Sequence, residues 1–219
     1  MAVLCLEPHV VNAIFTNNRC LDSQDTKTQN YGLREEGGIS MGKVRIEKGA
    51  GLCRTRPCMI ITTLHENRIV NAGTFGSYTN AGPQEIAIAI GRLSHTYANI
   101  KHTGEFIINI PHIGITAALE ICGQNVPTTE SELDKANLTT EPADEIKTPM
   151  ISECVANIEC KYWKEVEIGH HVVVLGKTVC GHLDKRYVDQ DGSIDVVKAR
   201  VPFNIRYPSP IYAVLASVD

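Results

Sequence analysis

The chain of 219 residues is 43% apolar and 21% charged, the balance of one soluble domain with a sizeable core. A net charge of -4, a pI of about 6.1 and the lack of any Lys/Arg run remove the basic footprint that nucleic-acid binding requires. No apolar run nears the roughly 20 residues that span a bilayer, and the first 15 residues lack a basic n-region, so the expected location is the cytoplasm.

Residues 1–40 differ in composition from the rest. A polar tract from Asn12 to Asn30, followed by Arg34-Glu-Glu-Gly-Gly, cannot bury enough surface to offset its ordering entropy. This stretch is expected to be a disordered extension or an over-extended start, with the folded domain over 41–219.

Within that domain, Pro57-Cys-Met-Ile-Ile-Thr-Thr-Leu64 is apolar and β-branched, Glu66-Asn67 is a turn, and 68–75 is a second strand. Residues 77–83 read as a polar turn ending in Gly82-Pro83, and 85–90 as a strand with one Ile face and one Ala face. Ser94 is a natural N-cap for a short helix to Thr103, with Lys101 and His102 in its last turn and Gly104 as its stop. A strand over 105–110 ends at Pro111, and helices are predicted over 116–122 and 131–138. Alternating residues over 154–162 and the continuous apolar run 171–180 supply two more strands, and 211–218 is an apolar tail that wants a partner surface. Many strands with few, short helices predict a mainly β fold, a β barrel with short helices.

Two glycine motifs fail on inspection. Gly37-Gly-Ile-Ser-Met-Gly-Lys43 has Val44 where a phosphate loop needs Ser or Thr, and no strand precedes it. Gly49-Ala-Gly51 is followed by Arg54 where a dinucleotide fingerprint needs its third glycine. The eight cysteines include no C-x-x-C pair, so reduced thiols are expected and no metal site. His170 and His171 are neighbours on a strand, point to opposite faces and cannot easily share an ion. The stronger signal is Ser94, His95, Thr96 and Asn99 at a helix start with Arg92 nearby, a group of hydroxyls and amides suited to an anion, although a plain capped helix needs only Ser94.

Taken in order, Arg56-Pro57 leading into Met59-Ile-Ile-Thr-Thr63, Asn71-Ala72 with Ser77, Ser94-His-Thr-Tyr-Ala-Asn-Ile100, Thr103-Gly-Glu-Phe-Ile-Ile-Asn109 and Gly169-His-His171 resemble the flavin reductase-like FMN-binding proteins, flavoredoxins among them. The likeness runs over about 41–218. It implies an FMN-binding split β-barrel, a homodimer with non-covalent FMN near the subunit interface. The ring and ribityl chain would lie along Asn71, Ala72, Thr74, Phe75, Ser77, Tyr78 and Thr79. The phosphate would sit on Ser94, Thr96 and Asn99, with Arg92 adding charge, and His171 would stand beside the nicotinamide pocket. His170 replaces the Asp common before that histidine, and Gly82-Pro-Gln84 has one proline where relatives often carry two.

The same resemblance implies an oxidoreductase passing electrons from NAD(P)H through bound FMN to free flavin, ferric complexes or a protein acceptor. The flavin carries the chemistry, so no side-chain dyad is needed. An electron carrier without NAD(P)H turnover and a cofactor-free ligand-binding barrel are the alternatives.

Overall fold

The computed structural model describes residues 43, 45–47 and 49–217, so the expectation for 1–40 lies outside the described residues. The account below concerns the unit that begins at Ala50. Its elements are β1 (Arg56–Pro57), β2 (Met59–Leu64), β3 (Val70–Phe75), β4 (Tyr78–Asn80), β5 (Glu85–Gly91), α1 (His95–Thr103) and β6 (Glu105–Ile110). There follow α2 (Thr116–Cys122), α3 (Glu132–Ala136), β7 (Thr140–Glu141), β8 (Met150–Ile151), β9 (Ala156–Ile168), β10 (His171–Leu183), β11 (Phe203–Asn204) and β12 (Tyr212–Ala213). The mainly β expectation holds: seven strands form one curled antiparallel sheet in the order β3-β2-β6-β9-β10-β5-β4, the half-barrel of a split-barrel fold.

Side-chain alternation explains the curl. On β5, Ile86, Ile88 and Ile90 are buried while Ala87 and Ala89 stay on the outer, partly covered face. They meet Val172 and Val174 of β10, which pairs β5 from His171↔Gly91 to Lys177↔Glu85. Phe106 and Ile108 of β6 and Met59 and Ile61 of β2 complete this interior. A second cluster, with Ile60, Ala72, Leu119, Leu133 and Ile151, fills the space between β2, β3 and the helices α2 and α3.

β9 and β10 form a hairpin of two 13-residue strands, turned by Gly169 at φ 56°. Pairing slips at two points, between Leu175 and Gly176 and between Thr178 and Cys180, leaving Trp163 and Val179 as the extra residues. Both are exposed. The bulges bend the hairpin around the core, and Phe106 occupies the space opposite Gly176: a Cβ there would lie 2.5 Å from Phe106 Cζ and 3.0 Å from Cε1. Gly176→Ala should therefore overpack a rigid core and lower unfolding free energy by about 1–3 kcal/mol. A urea midpoint unchanged from wild type would contradict this.

The structure departs from the sequence reading at several places: β10 runs on to Leu183, the helix expected over 131–138 spans only Glu132–Ala136, and three further differences shape the sheet. The polar turn at 77–83 contains β4, whose Tyr78 pairs Ile88; an edge strand tolerates Thr79 and Asn80 because its outer face meets water. β9 runs six residues beyond the predicted end at 162, through Trp163 to Ile168, where alternation fades because much of the strand's surface is exposed. On the same strand Asn157 and Glu159 point inward, buried, each held by hydrogen bonds.

One of these networks centres on Asn109 of β6, which is wholly buried. Its amide donates to Ile60 O (3.0 Å) and Thr62 Oγ1 (3.1 Å), and its carbonyl accepts from Ile151 N (3.0 Å) and Asn157 Nδ2 (2.8 Å). Along the sheet edge at β3, α3 supplies the partners a further strand would otherwise offer. Ser131 Oγ donates to Val70 O (2.7 Å), and Ala72 N donates to Glu132 Oε2 (2.9 Å).

Candidate functional site

Helix α1 begins where the chain leaves β5. Ser94 is its N-cap, accepting from Tyr97 N at 3.2 Å while its hydroxyl donates to Gly91 O at 2.9 Å. Gly104, in the left-handed conformation at φ 75°, closes the other end. The cap satisfies Tyr97, so the amides of His95 and Thr96 are left as donors without partners among the described residues.

A buried polar network fixes α1 against the sheet. Asn71 Nδ2 donates to both Thr63 Oγ1 (3.1 Å) and Thr96 Oγ1 (3.0 Å), and Asn99 Nδ2 donates to Thr63 Oγ1 (3.0 Å). Asn99 Oδ1 meets His65 Nδ1 at 3.1 Å, and burial pulls the His65 pKa below the usual imidazole value, partly offset by that hydrogen bond. The His65 and His95 rings stand edge to face, 5.4 Å apart. Thr96 Oγ1 accepts from Asn71, which leaves its own hydrogen free to donate.

These elements frame a cleft of about 320 Å³ between β3, the start of α1 and the end of α2. Asn71, Ala72, Thr74, Phe75, Ser94 and Thr96 all line it, so the structure brings half of the expected site residues together. Gly73 is needed at its floor, because a Cβ there would lie 2.7 Å from the Phe75 ring and 2.9 Å from Thr96 Oγ1. Leu93, His95, Cys122, Gly123, Gln124, Asn125 and Glu132 complete the lining; of these, the sequence pointed to His95 alone as a site residue. No Arg or Lys is among these residues, so an anion would be held by amide dipoles and hydroxyls.

A second cleft of about 460 Å³ adjoins the first, sharing Thr74, Phe75, Gly123 and Gln124 with it. Its further walls include Arg56, Tyr207 and Tyr212. Arg56 Nη1 donates to Ser77 Oγ (3.1 Å), and its guanidinium lies 4.6 Å from the centre of the Tyr207 ring. Arg56 was visible in the sequence only as a strand entry, and Tyr207 and Tyr212 come from the distant C-terminal segment, which no local pattern links to β3.

The remaining expected residues lie elsewhere. Asn99 sits behind the first cleft as a strut. Tyr78 packs inward, and burial, reinforced by Cys58, pushes its hydroxyl up to about 12. Thr79 is exposed on β4. Arg92 turns outward to Glu167 Oε2 at 3.1 Å, and His171 is exposed at the start of β10, opposite Gly91 and Ile168; neither lines the clefts.

The model of the flavin reductase like domain matches residues 53–197. The chain belongs to that family. The family match covers β1 through β10 and every residue that lines the first cleft. An uncharacterized protein of Archaeoglobus fulgidus is 33% identical to this flavin reductase-like chain over 114 residues, 52% of the chain, and the match spans 63% of that relative's length. Nitrilotriacetate monooxygenase component B from Bacillus cereus superposes with a TM-score of 0.72 at 19% identity, covering 85% of this chain and 98% of its own. Flavoredoxin from Methanosarcina acetivorans gives 0.71 at 20% identity, covering 81% and 93%. At such identities these two likenesses concern the fold. No helix among the described residues is long and apolar enough to cross a membrane.

Proposed function

We propose that this flavin reductase-like protein binds FMN non-covalently and passes electrons from NAD(P)H to free flavin, a ferric complex or a protein acceptor. The observation that carries the reading is the pair of unpartnered amides of His95 and Thr96 at the mouth of a cleft walled by Asn71–Phe75. A phosphate monoester suits that set of donors, since it accepts from N–H and O–H groups and is favoured by the positive end of α1. In this reading Ser94 shapes the turn, Thr96 donates its hydroxyl, and Asn99 and Asn71 hold Thr96 in place.

The adjoining cleft offers Phe75, Tyr207 and Tyr212 as walls for a flat ring, with Arg56, held by Ser77 from outside the lining, as a polar contact. Bound flavin supplies the hydride and electron chemistry. The chain's contribution is to seat the phosphate, orient the ring and leave one face open to nicotinamide. Arg92 and His171 stand outside the clefts of the single chain, and a role for them requires a second copy. We assign that contact to the exposed apolar residues Trp163, Val166 and Ile168 of β9, giving the homodimer that the resemblance implies.

Freshly purified protein should show the flavin absorption spectrum, or quench added FMN fluorescence at a 1:1 endpoint. Thr96→Val, which keeps the shape and removes the hydroxyl, should weaken FMN by about 1–3 kcal/mol, a change of roughly 5- to 150-fold in Kd. Unchanged affinity would place the phosphate elsewhere. NADH and NADPH oxidation with FMN or ferric chelate then tests turnover; bound flavin without oxidation of either nucleotide makes the protein an electron carrier, and no flavin binding makes it a cofactor-free barrel.

A further inference from the structure

Away from the clefts, the second bulge of the β9–β10 hairpin brings together three side chains of metal-binding type. The bulge at Val179 re-sets β10 so that Cys180 and His182, two residues apart, share one face. Asp144, in the loop between β7 and β8, reaches the same point. The potential ligand atoms of Asp144, Cys180 and His182 all lie within 4.8 Å of one another.

Beneath them is Glu159 of β9, the register partner of Cys180, with a wholly buried side chain. Its Oε1 accepts from His182 Nε2 at 2.7 Å and from Asp144 N at 2.9 Å. Its Oε2 accepts from Glu145 N (2.8 Å) and Ile146 N (3.1 Å). One carboxylate therefore orients the His182 side chain and, through a backbone amide, anchors the loop that carries Asp144. With Nε2 carrying the proton toward Glu159, Nδ1 is the nitrogen of His182 left to ligate, the arrangement of a carboxylate–histidine–metal triad.

We propose that Asp144, Cys180 and His182 form a binding site for one divalent cation of the zinc class, with Glu159 as the positioning residue behind His182. One thiolate, one imidazole and one carboxylate are the mixed soft and hard donor set that zinc accepts, whereas calcium and magnesium call for oxygen alone. Ligands at about 2.0–2.3 Å from a tetrahedral ion stand roughly 3.3–3.8 Å apart. Asp144 is exposed, and its carboxylate has no hydrogen-bond partner among the described residues, so rotation about its side-chain bonds can close the remaining gap. Three protein ligands leave the fourth position to water. On binding, the Cys180 S–H bond gives way to a metal–sulfur bond and the proton passes to solvent. The ion would tie the 142–148 loop to the hairpin.

The test uses the full chain as purified, freed of metal by chelation and titrated with Co²⁺, with the spectrum of the same sample before addition subtracted to remove any flavin. The expected result is saturation at one equivalent with a near-ultraviolet thiolate-to-cobalt band, displaced by Zn²⁺. Cys180→Ser should abolish that band. Asp144→Asn, an exposed change that spares the core, should weaken Co²⁺ at least tenfold, and Glu159→Gln should weaken it about 10- to 100-fold with the band retained. Circular dichroism of each variant checks the fold. Absence of a saturable band, its survival in Cys180→Ser, or full affinity in Asp144→Asn overturns the proposed site.

Discussion

Glu159→Ala is expected to lower the unfolding free energy by about 3–5 kcal/mol, the cost typical of removing one member of a buried charged network. The carboxylate is fully enclosed and accepts from His182 and from the backbone of Asp144, Glu145 and Ile146. Desolvation by itself would raise its pKa, yet the hydrogen bonds from His182, Asp144 and Glu145 outweigh it and hold the group below the usual carboxylate range. Alanine leaves the three amides without an acceptor, each such loss costing about 1–3 kcal/mol when the group stays dry. The 142–148 loop has little regular structure to replace those bonds; Lys147 N and Thr148 N depend in the same way on Glu105 Oε1, at 2.9 and 3.1 Å. Glu159→Gln keeps the shape and one acceptor oxygen, so it should cost less than half as much. Urea unfolding of both variants checks the order, and an alanine variant within 1 kcal/mol of wild type would show that the loop is held by other contacts.

Asn109→Leu should be of similar size, about 2–5 kcal/mol, for a different reason. Leucine is of comparable volume and suits an apolar core, so packing alone predicts a mild effect. The cost lies in what Asn109 leaves behind: Ile151 N and the Asn157 amide lose their acceptor, and Ile60 O loses a side-chain donor, all within buried structure. Asn157 keeps its bond to Ile151 O at 3.1 Å, which limits the loss. Paired with Asn157→Leu, the double variant should recover part of the stability, since fewer polar groups then remain unsatisfied. Chemical denaturation of the two single variants and the double one measures this coupling; strict additivity would sink the network account.

Both networks mark where sequence reading stopped. The strands β2, β3, β5, β6 and β10 and the helices α1 and α2 were legible because period, caps and terminators agreed: Ser94 and Gly104 bound α1, and Gly123 follows α2. The short pairing of β1 with β11 joins residues about 150 positions apart, Arg56 to Asn204 for example, and no local periodicity encodes it. Asn157 and Glu159 look in sequence like the wet face of an amphipathic strand. They are inside because partners from other segments satisfy them, which only the fold can reveal.

The candidate site divides in the same way. Residues near one another in sequence, Asn71 to Phe75 and Ser94 to Thr96, converge on one cleft because β3 and the start of α1 are joined by the hydrogen bond from Asn71 to Thr96. Arg92, only two residues before Ser94, points the other way: it precedes the cap, where the chain is still leaving β5, and Glu167 at the tip of the hairpin claims its guanidinium. Glu132 and Gln124 were missed because they come from segments after α1 whose polar residues look like ordinary loop surface.

The bonds from Ser131 and Glu132 to β3 have a consequence for solubility. An outermost strand with free amides and carbonyls invites another chain to extend the sheet, and charged or capping groups on such a strand are a recognised defence. Here Val70 O and Ala72 N, which face away from β2, are already taken by α3. Loss of those two side chains would expose a self-templating edge beside the flavin reductase-like cleft, so a variant that still folds could fail by coming out of solution before any change in redox activity is seen.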